Sequence, residues 1–282
     1  MSKESGKTPK ALKSGNGSNF VIPLAIVLIG SLIIFGITKM LQNDRGYRDL
    51  VRDLHSKTFG NRWIAAFELS KVISSKKVPK EDIPWLIENL NSLYSSAVDT
   101  RTKNFIIVAL GSLGEPGGVE TIQRGLSEDD ATTKFHSVVA LASIKDPRSI
   151  DFNRLMSLLD LGDEGLKQAV VLTLSTHKFE GSKDKIASFL SSGNISLKYA
   201  AATGLIYFRD TRCIKTVKEI LNLSSTKPHP LFTGEKIWAL KLNVLNALRN
   251  ADWEVFDEFL DSRLDREENL KVIGLIKEVL KQ

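Results

Sequence analysis

The sequence predicts an all-α protein in which one transmembrane helix precedes an α-solenoid of about six stacked helix pairs. Three observations support this fold class. An uncharged apolar run lies near the N-terminus, the apolar residues beyond it recur at helical spacing, and a helix-turn-helix pattern repeats every 31 to 33 residues. Because one helix pair cannot cover its own apolar face, successive pairs are expected to stack on one another.

The N-terminal tail holds half of the net charge. The whole chain carries +6, and four lysines against one glutamate give residues 1–19 a charge of +3. This segment is rich in Ser, Gly and Lys without apolar periodicity, so we predict a disordered basic tail. The remaining residues are close to neutral for their length, and we therefore do not expect a nucleic-acid partner.

An apolar segment follows the tail. Residues Phe20 to Thr38 read FVIPLAIVLIGSLIIFGIT, and as a helix these nineteen residues would rise roughly 29 Å, the thickness of a bilayer core. A cleaved signal peptide would have a shorter apolar region and a small-residue cleavage site, whereas the residues from Lys39 to Asp44 follow here. We therefore predict a transmembrane helix over 20–41 and a juxtamembrane connector over 42–56.

The expected localisation is that of a single-pass membrane protein, held in the membrane by Phe20 to Thr38. Basic residues flank this segment on both sides, so their number does not determine the orientation. A tail with four lysines is difficult to move across a membrane, whereas a folded domain can be translocated largely regardless of its charge. We therefore favour a cytoplasmic N-terminus and an extracytoplasmic repeat domain over 57–282.

The repeat is clearest in four consecutive copies, each with a small residue in its first helix. These small residues are Ala109, Ala140, Thr173 and Gly204, spaced 31, 33 and 31 residues apart. Ala66 and Ala247 extend the series by 43 residues on either side, which makes six repeats. The longer outer spacings predict two insertions, SSKKVPKEDIP after Ile73 and STKPHPLFTGEK after Ser224.

Two polar positions recur in register with the small residue. Ten positions before it, where a helix N-cap belongs, stand Asp99, Asp130, Asp163 and Asn194. Six positions before it stand five lysines, here named the lysine column: Lys103, Lys134, Lys167, Lys198 and Lys241. The column predicts either a ladder of ion pairs with acidic residues of the same or a neighbouring repeat, or a basic stripe that binds an acidic partner.

This pattern resembles the HEAT-like repeats of the phycobilisome-lyase type, in which an acidic turn, a basic residue and an Ala-rich helix precede a Gly-Asp-Pro turn and a second helix. The resemblance covers roughly residues 57–282. At the position of the family's inter-helix turn stand Glu115-Pro116, Asp146-Pro147-Arg148 and Asp210-Thr211-Arg212. The family's basic residue is usually arginine, whereas the lysine column contains only lysine, which weakens the bidentate bonding that the resemblance implies.

No catalytic constellation is evident in the sequence. The four histidines are scattered without an i, i+4 pair, and Cys213, the only cysteine, has no nearby histidine to activate it. The glycine-rich stretch GSLGEPGG follows a helix, where a phosphate-binding loop would follow a strand. We therefore expect no catalytic residue, no metal, no cofactor and no small-molecule substrate, and we predict that the chain is not an enzyme.

The expected function is that of a membrane-anchored, non-catalytic scaffold or assembly factor that binds a protein partner. The partner would contact the concave face of the solenoid, the lysine column or the insertions, and in the second insertion we single out Lys227, His229 and Phe232. Two alternatives stay open. The resemblance implies a bilin-lyase-like enzyme of the same repeat family, and the lysine column would suit nucleic acid or another acidic partner.

Overall fold

The computed structural model describes residues 46–97, 99–160 and 163–281, which form fourteen α-helices and no β-strand. In chain order the helices are α1 (Tyr47–Leu54), α2 (Phe59–Ser74), α3 (Ile83–Ser96), α4 (Thr100–Leu113), α5 (Val119–Gly125), α6 (Ala131–Ala142), α7 (Phe152–Ser157), α8 (Glu164–Thr176), α9 (Lys183–Ser188), α10 (Ile195–Tyr207), α11 (Ile214–Asn222), α12 (Gly234–Ala251), α13 (Asp257–Asp261) and α14 (Leu270–Leu280).

Six helix pairs make up the array in the described part of the chain. In each pair a longer first helix is followed by one turn of 3₁₀ helix and then by a second helix. The first helices are α2, α4, α6, α8, α10 and α12, and each of them packs against the next. The second helices are α3, α5, α7, α9, α11 and α13. Helix α1 packs against α2 and α3, and α14 packs against α12 and α13. The predicted all-α helical repeat is confirmed.

Side chains at the predicted N-cap position begin four of the first helices. Asp99, Asp130, Asp163 and Asn194 each accept a hydrogen bond from the backbone N–H three residues further on, at 2.7 to 3.1 Å. Such a cap contributes about 1 kcal/mol, because it satisfies an N–H group that has no partner within its own helix. The four N-caps predicted from the sequence are confirmed.

The register of the first pair differs by two residues from the sequence alignment. The buried residues Ile106, Ile107 and Leu110 of α4 recur 41 residues earlier in α2 as Ala65, Ala66 and Leu69. Ala66 therefore corresponds to Ile107 and not to Ala109, because the helix face turned toward the core sets the register and residue size alone does not. At the same spacing Arg62 corresponds to Lys103, so Arg62 adds a cation to the lysine column.

Close contacts between first helices explain the small residues. A Cβ atom on Gly111 would lie 2.6 Å from the Cβ atom of Ala140, so α4 and α6 approach as closely as a glycine allows. A Cβ atom on Gly204 would collide with the hydroxyl of Ser175 where α10 packs on α8. Larger side chains at these positions would push neighbouring helices apart and disturb the stacking of the array.

The N-terminal predictions fall largely outside the described residues. The basic tail over 1–19, the transmembrane helix over 20–41 and the first part of the connector lie there. Among the described residues no helix is long and apolar enough to cross a bilayer. The predicted localisation, a single-pass membrane protein with an extracytoplasmic repeat domain, is corrected on this finding. A membrane-spanning helix is apolar all round, whereas the described helices also carry polar and charged residues.

The remaining part of the predicted connector is mostly helical. Helix α1 occupies it, and Leu50, Val51 and Leu54 of this helix are buried. Their spacing gives α1 an apolar side that packs against α2 and α3. The compact unit therefore begins at Tyr47, ten residues before the boundary predicted at residue 57.

Candidate interaction surfaces

Three lysines of the lysine column bind a glutamate of their own helix pair. The ion pairs join Lys103 to Glu128 at 2.9 Å, Lys198 to Glu219 at 2.8 Å, and Lys241 to Glu267 at 2.6 Å. Each lysine belongs to a first helix, and each glutamate lies within the second helix or shortly after it. The ion pairs therefore tie the first helix of a repeat to its second helix or to the segment that follows it.

A tyrosine hydroxyl completes two of these ion pairs. Tyr94 donates a hydrogen bond to Glu128 at 2.9 Å, and Tyr199 donates one to Glu219 at 2.8 Å. The hydrogen bond from Lys103, opposed by partial burial and aided by the bond from Tyr94, holds the pKa of Glu128 below its ordinary value. Burial and the adjacent carboxylate raise the pKa of Tyr94, so its hydroxyl keeps the proton that it donates.

The other two lysines of the column, Lys134 and Lys167, do not form such ion pairs with any described second helix. Lys167 lies 3.3 Å from Glu164 of its own helix, whereas Lys134 forms no ion pair with another described residue. Arg62, which shares the register of the column, binds Asp99 at 3.2 Å. Most of the charge of the column is thus neutralised by nearby carboxylates, as in a ladder of ion pairs.

In the second insertion, one of the three predicted site residues, Phe232, packs the loop against α10. The side chain of Phe232 is only 5% exposed, and its ring stacks on that of His229 at 5.1 Å between centroids. The Phe232 ring also lies 5.8 Å from the ring of Tyr199 in α10. Lys227 and Leu231 are exposed in the same loop. Phe232 therefore anchors the loop, and Lys227 and Leu231 are among its exposed side chains.

A row of exposed apolar side chains crosses three first helices. This row, here named the apolar stripe, consists of Trp63 and Phe67 of α2, Val108 of α4, and Phe135 and Val139 of α6, all of them at least 40% exposed. Phe59 and Ile64, also on α2, are exposed beside it. A stripe of this kind on a repeat protein marks a surface for binding another molecule.

The sequence alone did not reveal the apolar stripe, for a physical reason. Helical spacing identifies apolar faces, but the period does not tell which of two adjacent faces is buried. In α2 the residues Trp63, Ile64 and Phe67 add a second apolar face to the buried one. This surplus of large apolar residues over what one helix face can bury is the signal that could have revealed the stripe.

A groove beside α3 has a volume of about 680 Å³. Ile83 and Ile87 of α3 line it with apolar atoms, and Lys80 and Lys145 are among the polar residues that line it. Lys145 forms an exposed ion pair with Glu115, another lining residue, at 2.5 Å. Glu88 also lines the groove, so its two lysines stand beside two glutamates. An apolar groove with a few polar groups is typical of sites that bind small molecules.

Metal binding and thiol chemistry find little support in the described part of the chain. No three His, Cys, Asp or Glu side chains there are grouped so that they could hold a metal ion. Cys213 is buried, and burial raises the pKa of its thiol to about 12. Near neutral pH this group is therefore a thiol and a poor nucleophile.

Comparison with protein families and with curated proteins finds no match to this sequence. Among solved structures, the chain is similar to the complex of CpcE and CpcF of phycocyanin lyase from Nostoc sp. PCC7120, with a TM-score of 0.60 and 15% identity over 84% of this chain and 94% of that chain. It is also similar to YibA of Escherichia coli, with a TM-score of 0.50 and 17% identity over 86% of this chain and 85% of that chain. At such identities the similarity shows the fold, which is that of a HEAT-like helical-repeat protein.

The prediction that the chain is not an enzyme is corrected by this similarity. A phycocyanin lyase has the same fold, so a helical-repeat architecture does not set the chain apart from enzymes. The prediction rested on the lack of catalytic spacing along the sequence. Residues far apart in a repeat sequence become neighbours when the repeats stack, so spacing alone is a poor guide to catalytic groups in such a fold.

Proposed function

We propose that this chain is a bilin-lyase-like helical-repeat protein that acts in complex with a second protein. The observation that carries this assignment is the similarity to the CpcE and CpcF complex of phycocyanin lyase, which extends over 94% of the matched chain. A similarity along nearly the whole array, rather than along one helix pair, supports a comparable arrangement of binding surfaces. Because one fold hosts many functions, pigment chemistry has to be tested directly.

The groove beside α3 supports a pigment ligand. A bilin is a long, largely apolar tetrapyrrole with two carboxylate groups, and the groove combines Ile83 and Ile87 with Lys80 and Lys145. Its volume of about 680 Å³ falls within the usual range of small-molecule sites. The side chain of Lys145 is largely exposed, so its ion pair with Glu115 is weak. An incoming carboxylate can therefore compete with Glu115 for Lys145.

The decisive experiment measures pigment binding and pigment transfer by the full-length protein. Binding is followed by the absorption spectrum of a bilin added to the purified chain, and we expect a red shift and saturation. Transfer is followed with the chain purified from its own cells together with its bound proteins, and we expect pigment to remain on added apo-phycocyanin after denaturing electrophoresis. If neither the spectral shift nor attached pigment appears, the proposed function is wrong.

Charge-reversed variants locate the pigment on the protein. Changing Lys80→Glu together with Lys145→Glu removes both cations of the groove and should weaken bilin binding about tenfold. Lys277→Glu together with Lys281→Glu, which alters two exposed lysines near the C-terminal end of the described chain, is the matched control and should bind as the wild type does. Equal weakening by both changes would point to a general charge effect and away from the groove.

A further inference from the structure

Helix α2, the first helix of the first pair, exposes large apolar side chains. Trp63 and Phe67 are 54% and 52% exposed, although α1 packs against the same helix. Apolar side chains of this size stay in contact with water unless another molecule covers them. They are therefore a surface that another molecule can cover.

The apolar stripe continues from α2 across the next two first helices. Phe67, Val108 and Val139 occupy equivalent positions, separated by 41 and 31 residues, one position before the place of the small residue in the register of the buried core. Because neighbouring first helices pack side by side, equivalent positions lie next to one another. A shallow cavity of about 100 Å³ between α4 and α6 has both valines in its lining.

The stripe ends after α6. The equivalent positions further along are Leu172, Thr203 and Asn246, of which Thr203 is buried and the other two are partly buried. Tyr199 of α10, equivalent to Phe135, is 1% exposed and lies against Phe232 of the second insertion. With helices about 8–10 Å apart, three of them give a stripe roughly 20 Å long, which matches about 13 residues of α-helix.

The charged residues within the three helices that carry the stripe are mostly basic. Helices α4 and α6 contain no aspartate or glutamate, and α2 contains only Glu68. Arg101 and Lys71 lie over the rings of Phe59 and Phe67, at 5.7 Å and 4.1 Å from the ring centroids. A partner with carboxylates beside its apolar side chains would therefore complement this surface.

We propose that the apolar stripe binds an acidic amphipathic helix of a protein partner. The apolar face of that helix covers Trp63, Phe67, Val108 and Val139, and its carboxylates face Lys71 and Arg101. This inference rests on the proposed function, because the second protein of the proposed complex would supply the helix. Side chains seven positions apart on one face of an α-helix are separated by about 10 Å, which is close to the spacing of about 8–10 Å between neighbouring first helices.

The probe is a designed helical peptide of about 16 residues, with leucine at every third or fourth position and glutamate elsewhere. Its binding to the full-length protein is measured by fluorescence anisotropy, with a second peptide in which every glutamate is lysine. Val139→Glu should weaken binding of the acidic peptide about tenfold or more. Val255→Glu is the matched control, because Val255 and Val139 are equally exposed, at 46%, and Val255 lies outside the stripe. Thermal unfolding of both variants checks that they fold.

Binding of the acidic peptide that Val139→Glu weakens and Val255→Glu leaves unchanged supports the stripe. The inference is overturned if the lysine peptide binds as well as the acidic one, or if the acidic peptide fails to bind. It is also overturned if Val139→Glu abolishes self-association or attachment to phosphatidylglycerol vesicles while the peptide stays unbound. Lys80→Glu with Lys145→Glu should not affect binding of the peptide. A wild-type chain that binds the peptide but neither binds nor transfers pigment would refute only the proposed function.

Discussion

The Nζ atom of Lys241 lies 2.6 Å from Oε2 of Glu267, and both side chains are only 3% exposed. The other carboxylate oxygen of Glu267 accepts hydrogen bonds from the backbone N–H groups of Glu268 and Asn269. Both oxygens of the Glu267 carboxylate thus have hydrogen-bond partners, and the ammonium group of Lys241 has this carboxylate as its counter-ion. The pair ties α12 to the segment that leads into α14, and it is the most deeply buried rung of the lysine column.

Removing one member of this pair should strongly destabilise the protein. Lys241→Met leaves the carboxylate of Glu267 buried without its counter-ion, and we expect the free energy of unfolding to fall by about 3–5 kcal/mol. Urea denaturation followed by circular dichroism measures this change. Lys103→Met is the control, since its ion pair with Glu128 is about a quarter exposed and should contribute about 1 kcal/mol or less. Equal losses in the two variants would contradict the role assigned to burial.

Adding a methyl group at Gly204 should also destabilise the protein. The new Cβ atom collides with the Ser175 hydroxyl, and such overpacking costs about 1–3 kcal/mol. Gly274→Ala, in α14, meets no atom within 4 Å and should instead stabilise the helix by up to about 1 kcal/mol. Thermal unfolding distinguishes the two effects. Ser175→Ala in the Gly204→Ala background should recover part of the loss, and no recovery would argue against this contact.

The stability of the protein should fall in acid partly through Glu128. Its folded-state pKa is lowered by the hydrogen bond from Lys103, so its contribution is complete above the unfolded pKa of roughly 4.3 and is lost as the pH falls through the folded value. Urea denaturation at pH 7 and in steps below pH 5 measures this dependence. Glu128→Gln should be less stable at pH 7 and should lose less on acidification. An unchanged acid dependence in this variant would contradict the assignment.

The second insertion should depend on Phe232 for its attachment. Phe232→Ala removes a buried ring that contacts His229 and Tyr199, and we expect a loss of about 3 kcal/mol or local opening of the loop. Leu231→Ala, one residue away and 61% exposed, should leave stability nearly unchanged. Limited proteolysis between α11 and α12, together with urea denaturation, tests both variants. Faster cleavage in Leu231→Ala than in Phe232→Ala would show that the anchor has been misassigned.

Local features of the sequence predicted much of the fold. Asp99, Asp130 and their counterparts cap helices as expected, because capping involves residues only three positions apart. The alignment of the first repeat with the second, across the first insertion, was harder to predict. Ala66 was aligned with Ala109 by size, whereas its burial makes it the counterpart of Ile107, and only the packing of α2 on α4 reveals this. Arg62 was missed as a member of the column for the same reason.

The binding surfaces depended more on tertiary structure. The lysine column was found by its spacing, but the sequence left open whether its lysines would form ion pairs. The glutamate partners of Lys103, Lys198 and Lys241 lie 21 to 26 residues further along the chain. Phe232 was singled out as a contact for a partner, yet it is buried by its own loop. The loop could not be judged from the sequence, because its packing against α10 is a long-range contact.

The sequence by itself determined the class of fold. Helical periodicity, N-caps and a repeat of about 31 residues can all be recognised within short stretches of sequence. Only the tertiary structure decided which apolar and charged residues stay on the surface. Ile107 and Val108 are adjacent apolar residues of the same helix, α4, yet Ile107 is fully buried and Val108 is 43% exposed. What distinguishes them is whether a neighbouring helix lies over the side chain, and that depends on how the helix pairs stack.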